Sequence, residues 1–407
     1  MSLFLRMAWR NIWRNPRRSL ILTSSVAVGY AGLVFSLAFM EGMKEEMLGN
    51  AVDHTGHLQV HAKNYQREQV LKLGIDESEP VIEVIESASG LAGHSSRVKV
   101  TGLVSSAKSS SGAMVIGIDP EKEATVTTLH EKLVEGRMPE RNEGRAIAIS
   151  KRLSDKLHVG LRGRVVIMAN ALDGDIASQS CRVVGVFHTG SKEFDQSIVF
   201  VGLKDLSELL RMDGRLSEIA VRMDSREDVQ DAMAYLSARL DTEALELLTW
   251  EDLMPVLISF METSDAMTYG YFIFIFIAVA FGIVNTLLMA VFERTREFGM
   301  LQALGLRPKR VFGLIIVESA WLGVVGVLIG CAISILVIQG AFGGEMDLSS
   351  VSESLAVMGM SSRVPMPFTW DIVVGPGIAV LIMAALSAII PARKAAKLHP
   401  AEAVAFV

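Results

Sequence analysis

Four long apolar stretches constrain this 407-residue chain more than any other feature of its sequence. They cover residues 19–40, 268–292, 311–342 and 372–391, and Glu318 is the only acidic or basic residue within them. An α-helix needs about 20 such residues to cross a hydrocarbon core of about 30 Å. The sequence therefore predicts an α-helical membrane protein with four transmembrane helices.

Lysine and arginine are distributed unevenly around these stretches. Residues 1–18 and 293–310 contain five cations each, whereas residues 343–371 contain Arg363 alone. Because Lys and Arg beside membrane helices stay on the cytoplasmic side, we expect both termini and the 293–310 loop to be cytoplasmic. Residues 41–267 and 343–371 are then expected to be extracytoplasmic.

The two ends of the chain are both basic. Arg6, Arg10 and Arg14 recur every four residues among Leu, Phe and Trp side chains. This spacing predicts an elbow helix over residues 1–18 that lies in the inner headgroup layer, with a simple basic flank as the alternative. Residues 392–407 are predicted to form a cytoplasmic tail.

Residues 41–267 are predicted to form a large α+β domain inserted between the first and second transmembrane helices. Runs in which apolar and polar residues alternate indicate strands, and stretches with helical periodicity separate them. The predicted strands are 56–61, 97–104, 164–169, 181–187 and 197–201, and the predicted helices are 80–87, 150–157, 203–211 and 226–240. Residues 250–267 contain no Lys or Arg, and we expect them to extend the second transmembrane helix outward.

Two polar residues in the apolar stretches are candidate functional groups. A charge in a membrane helix costs up to about 3 kcal/mol unless it is paired or hydrated. Glu318 is therefore expected to contact an arginine of the nearby basic loop, or else to extend to the membrane surface. Asn285 is expected to make a hydrogen bond to another helix, with a role in substrate contact as the alternative. Several glycines in the apolar stretches predict close helix packing. They are Gly29, Gly32, Gly323, Gly326 and Gly330.

The sequence gives only weak indications of catalytic or metal sites. His54, His57 and His61 lie close together, but their spacing is poor for zinc and no cysteine is near. The serines of residues 105–111 form no Gly-x-Ser-x-Gly motif, and their composition predicts a mobile loop. The sequence also contains no Gly-x4-Gly-Lys-Ser/Thr phosphate-binding loop. We therefore expect no catalytic, cofactor or metal site in this chain, and no disulfide between its two cysteines.

The loop of residues 293–310 has the most informative sequence. Charged residues from Glu293 to Glu297 pass into an Ala- and Leu-rich turn that ends at Gly305, and a second basic cluster follows. This pattern predicts a short helix parallel to the inner membrane face, which a cytoplasmic partner could contact. An ordinary basic loop is the alternative.

Three segments of the chain resemble one known family. The 293–305 segment resembles the coupling segment of the FtsX/MacB/LolC–LolE superfamily of ABC transporter permeases. Residues 8–19 are similar to that superfamily's N-terminal elbow helix, and residues 391–403 are similar to its closing motif. The coupling residues that match are Glu293, Arg294, Arg296, Glu297, Gly299, Ala303, Leu304 and Gly305.

The resemblance implies a multi-pass permease of the bacterial inner membrane that works with a separate cytoplasmic ABC ATPase. ATP and Mg²⁺ would bind to that ATPase, and a second copy or a paralogue would complete a dimer. The lipoprotein-releasing LolC/LolE type has the nearest architecture, because MacB carries a fused ATPase and FtsX has a smaller outer domain.

The function implied by this type is the ATP-driven transmission of motion to a MacB-like periplasmic core domain. This motion would serve to extract lipoproteins or another hydrophobic substrate from the inner membrane. Two alternatives stay open. One is a MacB-like efflux permease that works with a periplasmic adaptor. The other is an FtsX-like, non-transporting activator of a cell-wall hydrolase.

Overall fold

A computed structural model of the chain describes residues 16–397 except 142, 353, 354 and 356–361. The predicted elbow helix before Pro16 and the predicted tail beyond Lys397 lie outside the described residues. The chain divides into two compact units. Of the described residues, the membrane unit contains 16–44, 261–347 and 363–397, and the outer domain contains those within 45–260 and 348–362.

Four long helices are apolar and long enough to cross a membrane. In chain order we name them the first to fourth long helices. The third continues into a π-helical turn, Leu336–Ala341, and the fourth is followed by a short C-terminal helix, Ile389–Ala396. The long helices are Pro16–Thr55, Pro255–Glu293, Pro308–Ile335 and Trp370–Ser387.

The first two long helices extend well beyond their apolar stretches. They contain 40 and 39 residues, and at 1.5 Å per residue each is about 60 Å long, roughly twice the hydrocarbon core. The predicted extension of the second helix is confirmed from Pro255 onward, whereas Trp250–Leu253 forms a separate short helix. The extension of the first helix to Thr55 was not predicted. Within the membrane unit, Lys44 and Asp265 form an ion pair between the two extensions.

Glycines allow close helix packing in the membrane unit. A Cβ atom at Gly326 would lie 2.6 Å from Val26 Cγ1, and one at Gly330 would lie 2.6 Å from Ala27 O. Small residues are enriched where membrane helices approach closely, so the predicted packing role is confirmed for these two glycines. A Cβ at Gly32 would meet no atom within 4 Å.

The outer domain is built on a ten-stranded sheet with the strand order β10-β1-β9-β2-β3-β8-β5-β7-β4, and β6 pairs with β2 and β7. Most neighbouring strands are antiparallel, but β3–β8 and β5–β7 are parallel. The strands are β1 Leu58–Ala62, β2 Leu91–Ser105, β3 Ser110–Ile118, β4 Leu133–Gly136, β5 Ala146–Ser150, β6 Arg164–Asn170, β7 Ile176–Phe187, β8 Ile198–Gly202, β9 Glu218–Met223 and β10 Leu245–Thr249. Two further short strands, β11 Glu345–Asp347 and β12 Arg363–Pro365, pair within the membrane unit.

Short helices cover this sheet and bury its apolar side chains. All four predicted helices are present, with bounds that differ by a few residues. Ser150 accepts a hydrogen bond from Leu153 N at the start of one of them, as expected for a serine N-cap. The helices of the domain are Tyr65–Glu68, Ser78–Glu86, Pro120–Val126, Lys151–Leu157, Lys192–Ser197, Leu203–Leu210, Asp228–Ser237 and Trp250–Leu253, with a 3₁₀ turn at Leu129–Lys132.

The prediction of a mobile Ser-rich loop was wrong for its first and last residues, which lie in strands. Ser110 and Ser111 lie in β3 and pair with Ser105 and Val104 of β2. Ser106 forms the intervening turn, and its hydroxyl donates a hydrogen bond to Leu157 O at 2.6 Å. The Met-Val-Ile sequence of residues 114–116 favours a strand, but the serines before it favour a loop.

Candidate functional site

The loop between the second and third long helices contains the predicted short helix, which spans Thr295–Ala303 and is called the connecting helix below. Arg294 precedes it as the N-cap residue. The helix ends at Gly305, whose φ of +95° lies in the left-handed region that favours glycine. Pro308 then begins the third long helix in its first turn, a position that proline fits well.

One face of the connecting helix is buried in the membrane unit. Phe298 is fully buried in an apolar cluster with Val311, Ile315 and Ala392. Gln302 Nε2 donates a hydrogen bond to Ala395 O at 3.3 Å. These contacts fix the connecting helix against both the third long helix and the C-terminal helix, so a force on it would reach both.

Arg294 joins the connecting helix to the one charged residue of the apolar stretches. Its Nη1 lies 3.2 Å from Glu318 Oε2, and its Nε lies 3.1 Å from Glu297 Oε2. The guanidinium also lies 5.0 Å from the centre of the Phe298 ring. The Glu318 side chain is only 7% exposed, so it is paired inside the protein. The expected contact between Glu318 and a loop arginine is confirmed.

The opposite face of the connecting helix is exposed. Arg296, Met300, Ala303 and Leu304 follow one another at the spacing i, i+4, i+7 and i+8, which places them on one side of a helix. Leu304 is 86% exposed and Met300 is 47% exposed. Neighbouring exposed apolar side chains on a helix with polar residues beside them are typical of a protein-binding surface. We call these four residues the exposed face.

The predicted coupling residues therefore have different environments. Arg294 and Glu297 are partly buried and hold the helix in place, whereas Gly299 is buried against its neighbours. The exposed members of the predicted set are Glu293, Arg296, Ala303, Leu304 and Gly305. Sequence reasoning missed Met300, Phe298 and Gln302. The helical spacing i, i+4 and i+8 from Arg296 through Met300 to Leu304 would have identified Met300.

Asn285 does not make the expected hydrogen bond. Its side chain is exposed on the second long helix, and no described residue is a hydrogen-bond partner of its amide. It follows Phe274, Ile277 and Phe281 along one exposed face of that helix. The prediction of an interhelical hydrogen bond within this chain was therefore wrong.

The histidines of the outer domain have separate environments. His57 Nδ1 accepts a hydrogen bond from Met223 N at 3.0 Å, and His61 Nε2 lies 2.9 Å from Gln59 Oε1. The ring of His54 stacks on Phe194 with centroids 4.3 Å apart. Cys181 and Cys331 are both free.

Comparison with known proteins identifies the family of this chain. The family model described as FtsX-like permease C-terminal matches residues 269–400, and the model described as MacB-like periplasmic core domain matches residues 19–239. The second match alone covers more than half of the chain.

Individual relatives are distant in sequence. The lipoprotein-releasing system transmembrane protein LolC of Xylella fastidiosa is 24% identical over 400 residues, which cover 94% of this chain and 92% of that protein. An ABC transporter permease of Methanocaldococcus jannaschii is 26% identical over 231 residues, 56% of this chain and 55% of that one. The periplasmic region of MacB from Actinobacillus actinomycetemcomitans superposes on 51% of this chain and 94% of its own length, with a TM-score of 0.37 and 10% identity.

The two family models match successive parts of the chain, the outer domain with its first helix and then the three remaining long helices with the connecting helix. A LolC protein aligns over almost the whole length. The chain therefore belongs to the FtsX/MacB/LolC–LolE superfamily of ABC transporter permeases and is a multi-pass membrane protein.

Proposed function

We propose that this chain is a permease subunit that receives motion from a separate cytoplasmic ABC ATPase at its connecting helix and transmits it to its outer domain. The observation that carries this proposal is the exposed face, where Met300 and Leu304 project from a helix whose other side is fixed in the membrane unit. The ATPase would bind ATP and Mg²⁺, and this chain would contribute no catalytic residue.

The contacts of the connecting helix suggest how motion would pass into the membrane. The ATPase would accept Leu304 and Met300 in an apolar groove, with Arg296 beside an acidic group of its surface. Movement of the connecting helix would act on the third long helix through Phe298 and the Arg294–Glu318 pair. The Arg294–Glu318 pair is partly buried, so it would move together with the helices that it joins.

The orientation that this function requires follows from the distribution of cations. Arg307, Lys309 and Arg310 are exposed at the start of the third long helix. Because such clusters stay in the cytoplasm, we infer that the connecting helix and both termini face the cytoplasm of a bacterial cell. The outer domain would then lie in the periplasm.

An apolar cavity in the membrane unit supports the proposal that the substrate is hydrophobic. It has a volume of about 390 Å³ and lies among the first, second and fourth long helices. Its lining is almost entirely apolar and includes Leu33, Leu37, Tyr269, Phe272 and Phe276. Acyl chains fit such a surface by the hydrophobic effect. Together with the similarity to LolC, this cavity favours extraction of lipoproteins from the inner membrane.

A second permease subunit would explain the position of Asn285. A polar amide that faces lipid has no hydrogen-bond partner, which is unfavourable in the hydrocarbon region. A second copy or a paralogue packed against the second long helix would supply one. We therefore infer that the permease acts as a dimer.

Efflux with a periplasmic adaptor is the second candidate function. The match of residues 19–239 to the MacB-like periplasmic core domain favours it. The two functions differ in what the outer domain binds. The complex purified from its own membranes distinguishes them. Bound lipoprotein would favour lipoprotein release, and a bound periplasmic adaptor would favour efflux.

Replacing Leu304 with Glu tests the ATPase contact directly. A charge in an apolar contact leaves a desolvated group without a partner, and loss of one such contact residue reduces affinity by about tenfold or more. We expect Leu304→Glu to lower both the amount of ATPase that copurifies and ATP-dependent lipoprotein release from proteoliposomes. Leu103→Glu, at an exposed position of the outer domain, is the matched control. Full ATPase binding by Leu304→Glu would contradict the proposal.

A further inference from the structure

The outer domain contains a second cavity, which is separate from the coupling site and from the apolar cavity of the membrane unit. Its volume is about 410 Å³, within the range of about 300–1,000 Å³ found for small-molecule sites. It is open on one side. It lies where the ends of two helices, at His54 and Met254, approach β2, β3 and β8 of the sheet.

Most of the surface of this cavity is apolar and its floor is charged, and hydroxyl-bearing side chains of Thr55, Thr127, Ser191 and Ser197 also line it. Met114 and Ile116 of β3, Phe194, Phe200 and Leu129 form the walls. The floor contains Arg97, Lys99 and Glu123. A few polar groups at one end of an apolar pocket are typical of sites that orient a small amphiphilic ligand.

The charges of the floor already balance one another. Arg97 binds Glu123 through two nitrogens at 2.6 and 3.0 Å and Glu218 Oε1 at 2.9 Å. Lys99 Nζ lies 2.5 Å from Glu218 Oε2. The floor thus combines two cations with two carboxylates. An added anion would give it a net negative charge in a partly dehydrated site, which is costly.

Lys99 nevertheless has hydrogen-bonding capacity to spare. An ammonium group has three N–H donors, and within the described part of the chain Glu218 is its only hydrogen-bonded or ion-paired partner. Its side chain is 20% exposed and lines the cavity. The spare donors therefore favour a ligand with an oxygen acceptor.

The remaining ionisable groups of the lining leave this balance unchanged. Asp53 lies 3.3 Å from Arg222, which compensates its charge. Burial lowers the pKa of His54 to about 4, so its ring is uncharged at neutral pH. The stacked rings of His54 and Phe194 provide a flat apolar wall.

We propose that this cavity binds a small uncharged amphiphile, an acyl chain or similar apolar body whose carbonyl or hydroxyl oxygen accepts a hydrogen bond from Lys99. The apolar body would lie against Met114, Phe194 and Phe200. The site would take its ligand independently of the ATPase, so its test does not depend on the proposed transport function.

Photocrosslinking of the full-length protein in lipid nanodiscs tests this proposal. The probe is monodecanoyl glycerol with a diazirine on its chain, and mass spectrometry locates the labelled peptides. We expect saturable labelling around residues 53–55, 114–116 and 191–200. Unlabelled monodecanoyl glycerol should compete at least about tenfold better than decanoate, because a charged head would unbalance the floor.

Variants separate the cavity from general labelling by lipid-soluble probes. Met114→Trp should fill the cavity and reduce labelling of those peptides by about tenfold, while Val134→Trp, exposed elsewhere in the same domain, should leave it unchanged. A thermal unfolding curve checks that both variants fold. The competition experiment on the unmodified protein stands even if Met114→Trp does not fold. Absence of labelling at these peptides, or better competition by decanoate, would overturn the proposal.

Discussion

The outer domain and the membrane unit bury charge in different ways. In the outer domain, Arg97 and Lys99 share two carboxylates, and hydroxyls of Ser95 and Thr127 donate further hydrogen bonds to Glu123. In the membrane unit, Arg294 pairs with Glu318 and with Glu297 at the start of the connecting helix.

The network around Arg97 joins strands and a helix within the outer domain. The Arg294–Glu318 pair joins the connecting helix to the third long helix. A buried network in which several charged groups share partners favours a single packing. The connecting helix has fewer charged contacts, and the apolar packing of Phe298 holds it as well. The comparison indicates that the outer network maintains the fold of its domain, whereas the Arg294–Glu318 pair joins the connecting helix to the third long helix.

Among the substitutions that test this comparison, Glu218→Gln should have the largest effect on stability. Burial opposes ionisation of Glu218, but the charge of Lys99 and contact with His61 hold its pKa well below the usual range. Removing one partner from a buried ionic group costs about 3–5 kcal/mol. We expect faster hydrogen exchange throughout the outer domain, measured by mass spectrometry on the full-length protein. Glu121→Gln, at an exposed site on the same domain, is the control, and an equal effect of both would contradict the account.

Arg294→Met should have the next largest effect, and it should be confined to the membrane unit. It would leave Glu318 without its counter-ion, at a cost of up to about 3 kcal/mol. Hydrogen exchange of the connecting helix should increase while that of the outer domain does not. The double variant Arg294→Met/Glu318→Gln should recover most of the lost stability. If the double variant is as unstable as the single one, the ion pair is not the source of the effect.

Gly330→Ala should have a smaller effect, because it tests packing instead of charge. The added methyl group would lie 2.6 Å from the Ala27 carbonyl oxygen, and overpacking of this kind costs about 1–3 kcal/mol. Gly313→Ala, on the same helix, meets no atom within 4 Å and should change stability by less than about 0.5 kcal/mol. Thermal unfolding in nanodiscs compares the two. Equal melting temperatures would show that the close approach is not required.

Much of the membrane unit could be predicted because a single physical requirement dominates it. Residues that face lipid must be apolar over about 20 positions, and this pattern is visible without knowledge of neighbours. The pairing of Glu318 with a loop arginine was predictable for the same reason, since a charge there needs a partner. The extension of the first helix to Thr55 was not, because Glu41, Lys44 and Glu45 end the apolar pattern without ending the helix.

The outer domain could be predicted only in part. Strands such as β6 and β7 alternate clearly, but residues 110–118 contain serines and glycines that favour loops. Their pairing with β2 overrides that local preference. The charged floor around Arg97 depends on residues far apart in sequence, Glu123 and Glu218. No local pattern indicates that these side chains meet.

The central claim is that the outer domain faces away from the cytoplasm while the connecting helix faces into it. Single cysteines at two exposed positions, introduced as Gln196→Cys and Lys309→Cys in a chain with Cys181 and Cys331 replaced by Ala, test this claim in intact cells. A membrane-impermeant thiol reagent should label Gln196→Cys at once and Lys309→Cys only after permeabilisation. Labelling of Lys309→Cys in intact cells, with Gln196→Cys protected, would contradict the account.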